Sequence, residues 1–294
     1  GQDQDKAVPS GAAFFFGGWR KSATFCDTSG DIRQIAARAG RYQTRMKKRI
    51  DFLIAGVQKA GTTSLDSYLR QHPDICMAKK KEPHFFDKRP PTGMRTLDYW
   101  LYHRQFDWKA WKDGCLLGEA TPIITWWTGA LERVWTYNPQ ISVIVVLRDP
   151  VERAWSHYRM DCRLGRETMP YPDAIRMERE RARRALPAQD RERSYLARSY
   201  YAPQIRELRR LFSDEQLLFL RSEDLAGAPQ SELDRVCDFL GLPAHDFDAA
   251  GRLNAAPDDD RMSEDDRNYL CRVFEHDAAE TRALLGWDKG SWCV

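Results

Sequence analysis

Between a short apolar run and a helix-patterned segment the chain reads Gly56-Val57-Gln58-Lys59-Ala60-Gly61-Thr62-Thr63-Ser64, which sets two glycines, one lysine and three consecutive hydroxyls in one loop. Such a loop at a strand-to-helix junction turns backbone N–H groups and the positive end of a helix toward a phosphate. The glycine spacing is that of a Walker A loop, but Thr62 stands where that loop has its lysine, and Lys59 lies inside the loop instead. A second candidate is Arg148, at the end of the apolar run 141–147, with Ser156 two turns into the segment that Pro150 opens. A guanidinium can fork onto a phosphate while a helix hydroxyl adds another donor. The third is Glu82, set between Lys81 and the aromatic pair Phe85 and Phe86. A carboxylate so placed can be ionised, partly desolvated and rigid, as a general base requires. Plainer readings stand beside each: a structural turn for the glycines, a pairing of Arg148 with Asp149 or Glu152, and a turn residue before Pro83 for Glu82.

These residues need elements to hold them. Residues 52–57 form a short apolar run, and 62–71 carry Leu65, Tyr68 and Leu69 at helical spacing, which together predict strand, tight loop, helix. A second unit follows, with a nearly continuous apolar strand at 141–147 and a helix from Pro150 through Trp155 and Tyr158. A helix over 202–212 leads into a third strand at 217–220, and helices are expected over 231–240 and 263–285, the last starting at Ser263 with Asp266 behind it and stopping before Gly286. Continuous apolar strands suit a parallel sheet covered on both faces. The alternation predicts a single α/β domain with a central, mainly parallel sheet flanked by helices, a P-loop-like strand-loop-helix, and a ligand at the carboxyl ends of the strands. Residues 1–48 show no clear period and end in a basic run, so they read as an N-terminal extension ahead of a domain at 49–294.

The run Phe52-Leu53-Ile54-Ala55-Gly56-Val57-Gln58-Lys59-Ala60-Gly61-Thr62-Thr63-Ser64 resembles the 5′-phosphosulfate loop of sulfotransferases that use 3′-phosphoadenosine 5′-phosphosulfate (PAPS). Lys80-Lys81-Glu82-Pro83-His84-Phe85-Phe86-Asp87 resembles the base-carrying segment of the heparan-sulfate branch, and Val146 to Ser156 resembles the 3′-phosphate loop. Tyr200-Tyr201-Ala202-Pro203-Gln204-Ile205, the run 218–225 and Leu284-Leu285-Gly286-Trp287 are similar to the family's later segments, so the resemblance spans roughly 50–290. It implies PAPS as donor, adenosine 3′,5′-bisphosphate as product, no metal, and a hydroxyl-bearing acceptor, carbohydrate or small molecule. It assigns Lys59, Glu82 and His84 to catalysis, with His84 orienting or polarising the acceptor. It assigns Lys59, Ala60, Gly61, Thr62, Thr63, Ser64, Arg148, Ser156, Tyr201 and Arg252 to the donor. There are departures: Gly118-Glu119-Ala120-Thr121-Pro122 lacks the lysine of the family's Glu-Lys-Thr-Pro segment, Thr63 stands where some members have Arg, and Ala250-Gly251-Arg252 matches the Lys-Gly-Arg loop only in part.

Composition narrows the rest. With 294 residues, 42% hydrophobic and 30% charged, the chain is far from the signature of disorder. No apolar run approaches the length of a membrane helix, and no export signal is evident, so a soluble, cytoplasmic protein is expected. Seven scattered cysteines without a CxxC spacing argue against a disulfide framework or a zinc site. Residues 222–294 hold 17 acids and 7 bases, net −10, which leaves +13 for residues 1–221 and puts the anionic ligand there. No nucleic-acid-binding pattern accompanies that charge, and the arginine-rich stretch 176–210, interleaved with glutamates, reads as solvated helix faces. The aromatics between Tyr99 and Tyr137, adjacent Trp126 and Trp127 among them, could be core or could stack on an acceptor. The competing functions are a P-loop small-molecule kinase, with Asp149 as a magnesium carboxylate, and a non-catalytic nucleotide-binding module.

Overall fold

Strand β1 (Phe52–Gly56) is buried along its whole length, because it lies in the middle of the sheet with helices over both faces. The computed structural model describes residues 48–88, 96–249, 261–290 and 292–293, so the extension up to residue 47 and Arg252 lie outside the described residues. On one side β1 pairs with β3 (Leu116–Ala120), which pairs with the short edge strand β2 (Ile75–Met77). On the other it pairs with β4 (Ser142–Leu147), and β4 with β5 (Leu217–Arg221). Every pairing is parallel, in the order β2-β3-β1-β4-β5. The three expected strands are present. The other two escaped the pattern for physical reasons: β2 has three residues, and β3 interrupts its apolar run with Gly118 and Glu119. Gly118 is required there, since a β-carbon would sit 2.1 Å from the Phe52 ring of the neighbouring strand.

Helices follow most strands. α1 is Thr62–Leu69, α2 Thr96–His103, α3 Ala130–Tyr137, α4 Pro150–Arg163, α5 Tyr171–Ala185 and α6 Ala202–Leu211. After β5 come α7 (Ser222–Gly227), α8 (Pro229–Leu240) and α9 (Glu264–Leu285). As expected, α9 starts on a Ser263 cap that accepts from the Asp266 N–H and stops at Gly286, whose φ is 65°. It packs on α4 and α6. Its Asp277 accepts the backbone N–H groups of Tyr201 and Ala202 at 2.7 and 3.2 Å, so a carboxylate of α9 fixes the start of α6.

The aromatic region divides: Tyr99, Tyr102, Phe106 and Tyr137 are core, Trp111, Trp126, Trp127 and Trp135 are half-buried, and Trp100 and Trp108 are exposed. Phe85 stacks on Tyr102 with centroids 4.4 Å apart, and Phe86 meets Tyr102 and Tyr137 edge-on or tilted at 5.3 and 5.4 Å. These contacts pin the 78–88 segment between α2 and α3. Trp126 and Trp127 are half-buried, and each lies under its own guanidinium, Arg198 and Arg191 respectively. The arginine-rich stretch divides. On α5, Arg176, Arg179, Arg183 and Arg184 are exposed as expected, whereas Arg198 is only 3% exposed, a correction to the solvated reading. Arg198 is drawn inward because Gln58, the Arg191 carbonyl and Ser194 meet its donors and Trp126 covers its face. Among the described residues no helix is long and apolar enough to cross a membrane.

Gly118→Ala should lower stability by about 1–3 kcal/mol, the usual cost of forcing a methyl group into a filled core. The midpoint of urea unfolding measures it, and a midpoint equal to that of the parent would mean that the β1–β3 contact yields freely.

Candidate active site

The loops after β1, β2, β3 and β4 all leave the sheet at its carboxyl edge. Beyond β1, Val57 N–H donates to the Val146 carbonyl at 2.8 Å, and the chain then turns through Lys59 (φ 75°) and Gly61 (φ 96°) into α1. Gly61 supports the left-handed turn at no steric cost. It caps α1 without any side-chain hydrogen bond, so the first-turn N–H groups are not closed off by a capping residue. A helix start of that kind suits an anion. Ala60 and Thr62 are buried, while Thr63 and Ser64 are half-buried.

Positive charge is concentrated around this turn. Arg148, at the end of β4, donates from Nη1 to the Lys59 carbonyl at 3.3 Å, tying the two loops together. Arg153, fully buried on α4, donates to the Ser199 hydroxyl at 2.6 Å, to the Tyr195 carbonyl, and to the Gln58 carbonyl at 3.5 Å. Burial, then Arg163, Arg148, Arg153 and Lys81, lowers the Lys59 ammonium to about 8. It stays charged at neutral pH but is repelled from several sides, which an incoming anion would relieve. Ser156 is half-buried on α4. The N-terminus of α4 differs from that of α1, for Asp149 Oδ1 accepts the Val151 and Glu152 N–H groups at 2.8 and 3.2 Å. An anion at Arg148 would therefore be held by side chains more than by that helix end. Tyr201 lies behind the loop: it is wholly buried and its hydroxyl donates to the Arg148 carbonyl at 2.9 Å.

The segment after β2 runs beside β3, with Glu82 N–H donating to the Ala120 carbonyl at 2.9 Å. Glu82 has φ 59° and His84 φ 53°. Lys81 Nζ sits 2.6 Å from Glu82 Oε1, and His84 Nε2 lies 3.3 Å from Glu82 Oε2. The other ring nitrogen, Nδ1, is 2.9 Å from Asp87 Oδ2, to which Arg191 also donates. Asp87 and then Glu82 raise the imidazole to about 9. Burial pushes the Glu82 carboxyl up, but His84 and Lys81 outweigh it and hold the group at about 2. At neutral pH the segment is an alternating chain of charges: Lys81 positive, Glu82 negative, His84 positive, Asp87 negative, Arg191 positive. Beneath it the fully buried Glu119 accepts from Thr121 at 3.1 Å, and burial raises its carboxyl to about 7.

The fold thus brings Lys59, Ala60, Gly61, Thr62, Thr63, Ser64 and Arg148 together, with Ser156 on the adjoining helix and Glu82 and His84 on the next loop. Lys81 is the link, being close enough to depress Lys59. Sequence reasoning did not single out Asp87, Arg191, Arg153 or Arg198. Asp87 was legible, three residues after His84 in a segment already marked out. Arg191 was not, since 104 residues separate it from Asp87.

A profile of the sulfotransferase domain matches residues 49–256. The chain belongs to the sulfotransferase family. It is 33% identical over 190 residues to the human heparan sulfate glucosamine 3-O-sulfotransferase 3B1, covering 65% of this chain and 45% of that protein. It is 34% identical over 191 residues to the human heparan sulfate glucosamine 3-O-sulfotransferase 6, covering 65% and 52%. The chain thus spans about half the length of these relatives. The crystal structure of a sulfotransferase from Alicyclobacillus acidocaldarius superposes with a TM-score of 0.70 at 30% identity, covering 83% of this chain and 99% of that one.

Because His84 is raised from 6.5 to about 9, its contribution to stability is fully present below pH 6.5 and is lost as pH rises through 9. The melting-temperature deficit of His84→Ala against the parent should accordingly be largest near pH 6 and shrink above pH 9. A deficit independent of pH across that range would mean that the imidazole is neutral in the folded protein.

Proposed function

We propose that this chain transfers a sulfuryl group from PAPS to a hydroxyl of a carbohydrate or small-molecule acceptor and releases adenosine 3′,5′-bisphosphate. One observation carries the reading. The non-glycine residues with positive φ among the described residues are Lys59, Glu82 and His84, the three that family resemblance assigns to catalysis. Left-handed backbone at such residues costs about 1–3 kcal/mol each, persists only where the surrounding structure imposes it, and clusters at active sites.

When bound, PAPS supplies a sulfuryl group already activated by its bond to a phosphate. The uncapped start of α1, with Thr62, Thr63 and Ser64, is suited to the 5′-phosphate side. Lys59 is suited to meet the charge that would develop on the departing oxygen, and a preorganised cation in that role contributes about 10²- to 10³-fold in rate. Arg148 and Ser156 suit the 3′-phosphate, while Tyr201 holds the Arg148 carbonyl and so positions that residue. Arg252, outside the described residues, is proposed as a further donor contact.

Glu82 is ionised at every working pH and can accept the hydroxyl proton. Its low basicity means that this transfer must follow the weakening of the O–H bond as oxygen meets sulfur. His84, held protonated by Asp87, faces Glu82 and can orient the acceptor oxygen. A groove of about 560 Å³, lined by Met169, Met177, Arg181, Asp190, Arg191 and Glu192 among others, shares Arg191 with this segment, since that guanidinium also donates to Asp87.

The kinase alternative would use Asp149 for magnesium. Both of its oxygens are engaged by backbone N–H groups, Oδ1 by Val151 and Glu152 and Oδ2 by Cys293 at 2.7 Å, which disfavours that role.

Adenosine 3′,5′-bisphosphate should raise the melting temperature without metal, in proportion to the logarithm of its concentration. Arg148→Ala should reduce that shift and lose the preference for the 3′-phosphorylated nucleotide over its 3′-hydroxyl analogue. Stabilisation by ATP-magnesium and none by the bisphosphate would refute the donor assignment. For the base, Glu82→Gln should leave bisphosphate affinity nearly intact while turnover falls by about 10²-fold or more. Full turnover in Glu82→Gln with none in His84→Ala would transfer the role to the imidazole.

A further inference from the structure

Away from the catalytic segment, two thiols that are 22 positions apart in sequence lie in direct contact. Cys271, on α9, and Cys293, in the segment that follows it, have their sulfurs 2.6 Å apart, closer than unbonded sulfurs ordinarily approach, and both residues are half-buried. Nothing in the sequence marks the pair, because a separation of that size has no CxxC-like signature and the other cysteines are scattered.

The segment carrying Cys293 is docked on the structure. Trp292 is 3% exposed and packs beside Trp287 and Tyr201, with ring centroids 6.1 and 6.0 Å away. Its indole N–H points at Glu223 Oε2, 3.4 Å away, while Glu223 Oε1 accepts the Asp149 N–H at 3.0 Å. The Cys293 N–H donates to Asp149 Oδ2. Asp149 thus joins three pieces of chain: the end of β4, the first turn of α4 and the segment after α9. Among the described residues the segment after α9 is held by the Trp292 indole, hydrogen bonds to Asp149 and Glu223 and the ion pair of Asp288 with Arg221, and a covalent link to α9 would add to these.

We propose that Cys271 and Cys293 are an oxidisable pair that closes as a disulfide and fastens this segment to α9. Exchange with a low-molecular-weight disulfide closes it. One thiolate of the pair attacks one sulfur of the reagent, expels a thiolate and forms a mixed disulfide; the other thiolate then displaces the second thiolate. The two cysteines lose two protons and two electrons, and the reagent is reduced to two thiols. Burial, Cys271 and Asp149 push the Cys293 thiol up. The sulfurs already lie 2.6 Å apart, so little movement is needed to bring them within bonding distance. The proposal stands apart from the donor and acceptor assignments and survives if either fails.

The whole chain is incubated with oxidised glutathione or with dithiothreitol, and each sample is examined by intact-mass and non-reducing peptide mass spectrometry and by thermal unfolding. The oxidised parent should be lighter by about 2 Da and yield a peptide joining Cys271 to Cys293. Its melting temperature should exceed that of the reduced form by roughly 5 °C, as closing a ring of this size restricts the unfolded chain. Cys293→Ser and, separately, Cys271→Ser should show neither the joined peptide nor the redox-dependent shift. Failure of the parent to form that peptide in oxidised glutathione, or cross-linking of either cysteine mainly to another, would overturn the proposal. So would a joined peptide without any difference in melting temperature, because the segment would then already be as firmly held by its other contacts.

Discussion

Like charges forced together around one backbone turn are the constraint on which the site depends. Lys59 shares its surroundings with Arg148, Arg153, Arg163 and Lys81, and two further features deepen the problem. Arg153 and Arg198 are buried, and among the described residues neither has a carboxylate within ion-pair distance; their donors go to carbonyls, hydroxyls and the Gln58 side chain. Burying guanidinium groups this way costs stability unless every donor finds an oxygen. The surrounding loops are shaped to provide those oxygens. Gln58 is the meeting point, since its carbonyl accepts from Arg153 and its side chain from Arg198, so the phosphate-type loop is braced from below by the charges it must concentrate.

The second loop balances the first by alternation. His84 and Lys81 hold Glu82 at about 2, Asp87 and Glu82 hold His84 at about 9, and the shared Asp87 carboxylate offsets the approach of Arg191 to the His84 ring at 3.1 Å. Alternation fixes both side chains and protonation states, but it also makes Glu82 a weak base. Such an arrangement holds its side chains in place at the expense of the basicity of Glu82. The aromatic anchors Phe85 and Phe86 serve that end, for they fasten the segment to the core immediately after its left-handed residues.

A third tier lies behind the cofactor-type loops. Asp277 fixes Tyr201, Tyr201 fixes the Arg148 carbonyl, and Asp149 caps α4 while receiving the segment after α9. The acidic region 222–294 thus does more than balance the net charge. Its carboxylates at Glu223 and Asp277 accept backbone N–H groups of the basic region and position its arginine from behind.

The sequence by itself determined those features that local periodicity and spacing encode. The strand-loop-helix at 52–69, the arginine at the end of β4, Pro150 at the start of α4 and the Ser263 and Gly286 boundaries of α9 are all written in adjacent residues. Together they carried the α/β class and the family likeness. Tertiary structure alone decided which charges are buried and which residues bear strain. β3 could not be read because its Gly118 is explained by a ring on another strand and its Glu119 by burial beneath the site. Arg198 looks in sequence like the exposed arginines of α5; its inward turn depends on Gln58, 140 positions earlier, which only the chain's path brings to it. Left-handed backbone at Lys59, Glu82 and His84 runs against residue type, since lysine, glutamate and histidine lack the freedom of glycine. It is imposed by anchors on either side, and no local pattern announces an anchor that lies elsewhere in the chain.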